Sequence, residues 1–517
     1  MRADSHFMLA FEGTTAPPEL LAALGEGHIP GVTIFRHNVE SAGQVVELTD
    51  ALRAASGSDL PLLIAADQET GQLVGLGEDT TPFPGAMALG AVGDPDLAER
   101  VGAVVGTELR ALGVTMNYAP VCDIATNPAN PSLGIRSFSD DAGTVAELAA
   151  ATIRGMASAG VVATAKHFPG KGEAIVDPHH ELPVLELDHD RLVTVELAPF
   201  RAAIEAAVPA VMVGHYAVPA VTGRRDLPTS VSEAMIAGVL RGEMGFDGVV
   251  ITDALDMGAL PQGVGQIVDV IAAIRAGVDL LLCTADREAQ QRLRAGLDLA
   301  VGRGLVNPGP SLRRTTALRR TLSRDRPPID VVGCAGHRQL AAEVARRSIT
   351  LVRDDTGLLP LQPTGDLLAV MPAPSDLTPA DTSSRVAPGL AAALRRHHPD
   401  VTEIVTSPIP DAGEIAAVAE RARQSSMVVI GTTWAGAEQA DLVRRVLAVG
   451  TPVVTVALRT PFDLAAYPEA PAHLCTYSIH PPSMEALADV VFGMAPTTGR
   501  LPAAIPGLYP RGHGAGD

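Results

Sequence analysis

Lysine is almost missing from this chain. Of its 39 lysine and arginine residues only two are lysine, Lys166 and Lys171, and they fall in one stretch, 164–172. Wherever a generic positive charge suffices, the sequence uses arginine. A lysine kept against that bias marks a place where a compact ammonium is wanted and a planar guanidinium does not fit. Chance survival is the alternative, and the shared Gly/Pro-rich, His-containing segment weighs against it. Aromatic residues are also scarce, at 3%, with a single tryptophan, Trp434. That argues against a long stacking groove and for a small pocket that works by hydrogen bonds. The four cysteines, Cys122, Cys283, Cys334 and Cys475, stand far apart without a C-x-x-C pair. Neither a zinc motif nor a disulfide framework is signalled, and free thiols in a reducing compartment are expected. Residues 1–6 lack the apolar core of a secretion signal, and no apolar run reaches membrane-spanning length. The formal net charge of −20 disfavours nucleic acid and anionic membrane as partners. A cytoplasmic protein with a small-molecule partner is expected, with no nucleic acid, no membrane and the oligomeric state open.

Apolar residues make up 47% of the 517, enough for full cores in two or three domains. Over the first ~330 residues one theme repeats: a short apolar, β-branched run ends in a polar residue, and a helical pattern follows. The runs are 31–35, 61–66 before Asp67, 114–118, 161–165 before Lys166, 210–213 before His215, 248–252 before Asp253, and 278–282 before Cys283. Stretches such as 195–207 and 232–241 have helical spacing. Residues 229–232 offer a short eighth strand. Alternating strands and helices predict a parallel sheet with crossover helices, and eight strands in about 300 residues predict an α/β fold of the (β/α)8 TIM-like barrel type over 1–325. The rival, a doubly wound open sheet, lacks the glycine-rich turn after its first strand. A linker is expected at 326–340, where Pro327-Pro328 lies, and a smaller α/β sandwich domain at 341–517. Its strand candidates are 348–352, 367–371, 426–431, 452–457 and 473–477. A structural or gating role is expected of it.

In a barrel of this kind, chemistry sits at the C-terminal ends of the strands. Asp67, Lys166, His167, His215 and Asp253 all occupy such positions. A carboxylate fixed by a strand, as Asp253 is, suits a nucleophile, with helix capping as the bland alternative. Asp256 is read as a cap or supporting group. In Asp177-Pro178-His179-His180 an Asp two residues before a His, across a rigid proline, would hold the imidazole as a proton donor. By itself this pattern is weak, since a loop histidine is usually just solvated. Asp67-Gln68-Glu69, Arg136, Lys166 and His167 complete a polar ring suited to a small polyol, which needs both donors and acceptors. No His/Asp spacing has a convincing metal geometry, so no metal is expected.

Five motifs in order carry a resemblance. They are Asp67-Gln68-Glu69, the stretch 117–124 (Asn-Tyr-Ala-Pro-Val-Cys-Asp-Ile), Arg136-Ser137-Phe138, Lys166-His167-Phe168-Pro169-Gly170 and Ile251-Thr252-Asp253. Together they resemble glycoside hydrolase family 3, in its β-N-acetylglucosaminidase branch, and residues 347–502 resemble that family's α/β sandwich domain. The resemblance implies a retaining, exo-acting β-N-acetylglucosaminidase working on small glycosides, muropeptides or chitooligosaccharides, by double displacement. It implies Asp253 as the nucleophile, and His179 with Asp177 as the acid/base pair. Asp67, Arg136, Lys166 and His167 would bind the sugar, and His215 is placed with them. No cofactor is implied. The alternatives are a β-N-acetylglucosaminide phosphorylase, a β-glucosidase of the same family with Glu438 as its acid, and an aminosugar-binding protein without activity. Three departures from the family pattern border the site: Gln72 replaces an Arg, Lys171 a His, and Gly172-Glu173-Ala174 a Gly-Asp-Thr.

Overall fold

The computed structural model of the protein describes residues 3–515. Eight strands form the first sheet: β1 (Phe7–Leu9), β2 (Gly31–Ile34), β3 (Leu63–Ala66), β4 (Met116–Asn117), β5 (Val162–Phe168), β6 (Ala210–Val213), β7 (Val249–Thr252) and β8 (Leu281–Cys283). All neighbours pair in parallel, in the order β8-β1-β2-β3-β4-β5-β6-β7. A bridge between Ile251 and Leu280 closes the ring. Side chains alternate across each strand. Met8, Leu63, Ala65, Met212, Ile251 and Leu282 turn inward and fill the barrel, while Phe7, Leu9, Ile64, Val250 and Leu281 turn outward against the helices.

The eighth strand is not where the sequence placed it. Residues 229–232 make a buried turn of 3-10 helix at Thr229–Val231, because the Thr229 amide bonds to Tyr216 O at 2.7 Å rather than to a sheet neighbour. The missing strand is β1, three residues near the start of the chain, too short to show a period.

The second sheet has six strands: β9 (Thr350–Asp354), β10 (Leu367–Pro372), β11 (Val401–Thr406), β12 (Met427–Thr432), β13 (Val453–Ala457) and β14 (Ala472–Cys475). Their order is β9-β14-β13-β12-β10-β11, parallel except for the antiparallel β9–β14 pair. Helices cover both faces. Leu367 and Ala369 pack with Leu390 and Leu487 on one side, and Leu368 and Val370 with Ile415 and Val443 on the other. The helix Ala335–Ser348 begins inside the stretch read as linker. Its His337 bonds to Glu108 of the barrel at 2.7 Å. The chain then returns to the barrel at its end, where Ser139 Oγ donates to Pro502 O at 2.6 Å and Ala504 N to Asp140 Oδ2 at 2.8 Å.

Asp279 holds the closing seam. Its fully buried carboxylate accepts from Val250 N, Arg241 Nη2 and Arg314 Nη2, each at 2.8 Å. Removing one partner of a buried ion pair leaves the others charged and unmatched. Asp279→Ala should therefore lower unfolding stability by about 3–5 kcal/mol, read from a denaturant midpoint. An unchanged midpoint would show that the seam does not depend on this carboxylate.

Candidate active site

The C-terminal ends of the barrel strands open onto a cavity of about 410 Å³. Asp67, Arg136, Lys166, His167, Lys171, His179 and Asp253 line it from the barrel, and Asp376, Asp381 and Arg385 from the second domain. Asp67 follows β3, and the chain stays extended through Gln68 and Glu69, so Asp67 and Glu69 share a side. Glu69 accepts from Arg136 through both oxygens, Nε and Nη2 each at 2.8 Å, and also meets the Lys166 ammonium. Lys166 Nζ donates to Asp67 Oδ1 at 2.6 Å. Burial alone would raise the Glu69 pKa, but the two cations hold it well below the usual carboxylate range. Burial raises the Asp67 pKa, and Lys166 opposes that rise.

Arg136 Nη2 also reaches His167 Nε2 at 3.4 Å. A guanidinium only donates, so Nε2 accepts and the ring hydrogen sits on Nδ1, which donates to Asp123 Oδ2 at 2.7 Å. Burial, with the charges of Lys171 and Arg136, pushes the His167 pKa well below its ordinary value. Asp123 further accepts from the backbone amides of His167 at 3.2 Å and Lys171 at 3.0 Å.

Asp253 follows β7 directly. Its amide donates to Val213 O at 2.9 Å, and its Oδ1 accepts from Ala254 N at 2.8 Å. Burial works against its charge, but His167, His215, His179 and the Ala254 amide together hold its pKa below the ordinary value. His179 enters from the loop after β5. Its Nδ1 lies 2.6 Å from Asp177 Oδ1, which leaves Nε2 for the cavity. Despite burial, the hydrogen bonds from His179 bring the Asp177 pKa down to about 2. This loop is tied to the one after Asp253: Gly258 N donates to His179 O at 3.0 Å and Ala259 N to Pro178 O at 3.1 Å. A Cβ on Gly258 would come 2.4 Å from His180 O, so only glycine permits the contact.

Seven of the eight residues singled out from sequence gather here, Asp177 through its bond to His179. His215 is the exception. It is fully buried, does not line the cavity, and spends both ring nitrogens on the protein, Nε2 on Ala254 O at 3.1 Å and Nδ1 on Ser230 Oγ at 2.7 Å. It props the Asp253 segment from behind. The sequence reads Glu69 only as part of the polar ring and Asp123 only within its motif, yet each holds two site residues: Glu69 the Arg136 and Lys166 side chains, Asp123 His167 and the Lys171 amide. Glu438 is exposed on the helix Ala437–Leu447, away from the cavity, and Trp434 lines a separate one. Among the described residues no group of three or more His, Cys, Asp or Glu converges as metal ligands would.

The model of the glycosyl hydrolase family 3 N-terminal domain matches residues 13–306. The chain belongs to glycoside hydrolase family 3. Among relatives of this family-3 chain, "Beta-hexosaminidase A" of Pseudoalteromonas piscicida is 30% identical over 95% of the chain and 92% of the relative. "Beta-N-acetylglucosaminidase/beta-glucosidase" of Cellulomonas fimi is 30% identical over 94% of the chain and 91% of the relative. The solved structure of a family 3 β-N-acetylglucosaminidase from Paenibacillus sp. str. FPU-7 superposes with a TM-score of 0.90 at 35% identity, covering 97% of this chain and 98% of that one. The barrel followed by an α/β sandwich is thus shared along nearly the whole chain.

The His167 geometry sets an observable for this family 3 site. Long-range ¹H–¹⁵N spectra should show its ring neutral, with the hydrogen on Nδ1, at about pH 6, where an ordinary imidazole is mostly charged. A charged ring at that pH would contradict the bond from Arg136.

Proposed function

We propose that the chain is a retaining, exo-acting β-N-acetylglucosaminidase that removes terminal N-acetylglucosamine from small glycosides, muropeptides or chitooligosaccharides. The observation that carries this reading is the Asp177–His179 pair, 2.6 Å apart, on the same cavity as Asp253. The names of the hexosaminidase relatives and the Paenibacillus structure support the sugar. Cytoplasmic action is part of the proposal. Three buried free cysteines, Cys122, Cys283 and Cys475, fit a reducing compartment.

In the first step an Asp253 oxygen attacks the anomeric carbon. The bond to the leaving oxygen breaks, and that oxygen takes the proton from His179 Nε2. Asp177, ionised at neutral pH, accepts from Nδ1 and keeps Nε2 pointed at the leaving group. In the second step the now neutral His179 takes a proton from water, whose oxygen displaces Asp253 and frees the sugar. Asp67, Lys166, Arg136 and His167 offer both acceptors and donors to the ring hydroxyls from fixed positions, so little ordering remains to be done when the sugar binds.

The test is turnover of p-nitrophenyl N-acetyl-β-glucosaminide beside the matching β-glucoside. Wild type should cleave the N-acetyl substrate faster and release the β-anomer first by NMR. Asp253→Asn should reduce turnover to background. His179→Ala should cost about 10²–10⁴-fold on glycosides with poor leaving groups and less on the nitrophenyl substrate, whose leaving oxygen needs little protonation. An equal loss on both would remove His179 from the acid role, and faster cleavage of the β-glucoside would overturn the sugar assignment.

A further inference from the structure

The two lysines of this chain are 2% exposed and line the same cavity, yet they are held differently. Lys166 is neutralised by Asp67 and Glu69, and Arg136 by Glu69. The Lys171 ammonium makes no hydrogen bond and no ion pair among the described residues. Its backbone, in contrast, is pinned on both sides. The amide donates to Asp123 Oδ1 at 3.0 Å, and the carbonyl accepts from Asn130 Nδ2 at 2.7 Å and Ala174 N at 3.0 Å. The next residue is just as fixed, since a Cβ on Gly172 would lie 2.0 Å from Ile124 O. The fold therefore delivers a bare ammonium into the cavity and gives it no partner of its own.

We propose that Lys171 is an oxyanion-binding residue of this cavity, holding a carboxylate or phosphate group beside the bond that is cut. The proposal rests on the glycosidase reading above. A buried charge without an acceptor is costly, and a ligand anion offsets that cost. The cost is visible in the group's acidity. Burial, then the charge of Arg136, lowers the Lys171 pKa to about 8 against the pull of Asp123, Asp253 and Asp177. At neutral pH the ammonium still carries its charge.

Its place fixes what it meets. Lys171 opens the loop that carries His179, and the charges of both Asp253 and Asp177 act on it. It lines the cavity together with His179 and Asp253, so an oxyanion bound by it shares that space with the nucleophile and the proton donor. When Asp253 bonds to the anomeric carbon its negative charge is consumed. The ammonium then loses one of the three carboxylate charges that act on it, and its attraction for an oxyanion is greatest at that stage. Two sources share this chemistry. One is a carboxylate carried by the leaving group. The other is inorganic phosphate as acceptor. In that case a phosphate oxygen bonds to the anomeric carbon as the Asp253 ester breaks, which restores the carboxylate and yields a sugar 1-phosphate. His179, which has given up its proton, takes one from the phosphate.

The experiment uses the full chain, wild type and Lys171→Gln, with the 4-carboxyphenyl and 4-carbamoylphenyl N-acetyl-β-glucosaminides. Phosphate is titrated against chloride at constant ionic strength. The ratio of kcat/KM for the charged over the neutral glycoside should fall by about tenfold or more in Lys171→Gln if the leaving group supplies the anion. A phosphate-dependent rate with sugar 1-phosphate as product, lost in the variant, would name free phosphate instead. Should Lys171→Gln fail to fold, wild type alone decides, because either effect must fade as pH rises through about 8. Equal ratios in both proteins, with no effect of phosphate on wild type, would overturn the proposal. If wild type cleaves neither glycoside, it is the glycosidase reading that fails, and calorimetry of phosphate binding to wild type and variant then decides the anion site alone.

Discussion

Glu69 lies between two cations, and the floor of the cavity is built outward from it. One carboxylate fixes Arg136 through two parallel bonds and takes up the charge of Lys166. Arg136, so held, fixes the acceptor nitrogen of His167. His167 in turn donates to Asp123, and Asp123 anchors the start of the loop that brings in Lys171. Residues from β3, the loop after β4, and β5 thus share one hydrogen-bonded path. Charges this deep are tolerated because each is matched. The matched set is also rigid, which suits a site that must present fixed donors and acceptors to a sugar ring. Lys171 stands at the end of this path as its unmatched member.

The second domain completes the cavity without supplying the reacting groups. Thr382 N donates to Gln72 O at 3.0 Å, and Val74 N to Thr382 Oγ1 at 3.0 Å, so the segment after Glu69 is clamped to the loop that roofs the site. That roof is held from its own side by the buried Asp381–Arg459 pair at 2.9 Å. The departure at Gln72 falls on this seam: its Nε2 donates to Ala380 O at 3.4 Å, a reach to a neutral carbonyl that needs no charge. Gly258 and Ala259 tie the His179 loop to the Asp253 loop through two backbone bonds, so the segments carrying His179 and Asp253 are positioned together.

Much of this was legible in the sequence because the relevant signals are local. The barrel strands read as apolar runs that end in polar residues, and a strand that ends in Asp253 or Lys166 places that side chain at the rim whatever the packing around it. The scarcity of lysine pointed to Lys171 before any geometry. What stayed hidden depends on partners far away in the chain. β1 is three residues long and is a strand only because β2 and β8 flank it. β11 lies at a sheet edge with only its ends Val401 and Thr406 buried and its middle residues half-buried or exposed, and its Val-Thr-Glu-Ile-Val-Thr run reads as half polar. His215 follows a strand as Asp67 and Asp253 do, but the Ser230 hydroxyl and Ala254 carbonyl claim both its nitrogens, and nothing nearby in the chain announces that. The hub roles of Glu69 and Asp123 arise only where separate strands converge.

The closing of the ring has a consequence for the life of the molecule before it is finished. β1 leaves the ribosome first, yet its partner β8 is some 270 residues behind it, at Leu281–Cys283. The roof loop comes about a hundred residues later still, and Pro502, which receives Ser139, later again. The nascent chain must therefore carry β1 paired on its β2 edge alone until β8 has been made. The cavity gains its roof only after the barrel beneath it has been made, so an interrupted chain has an open, solvent-filled site in place of a pocket.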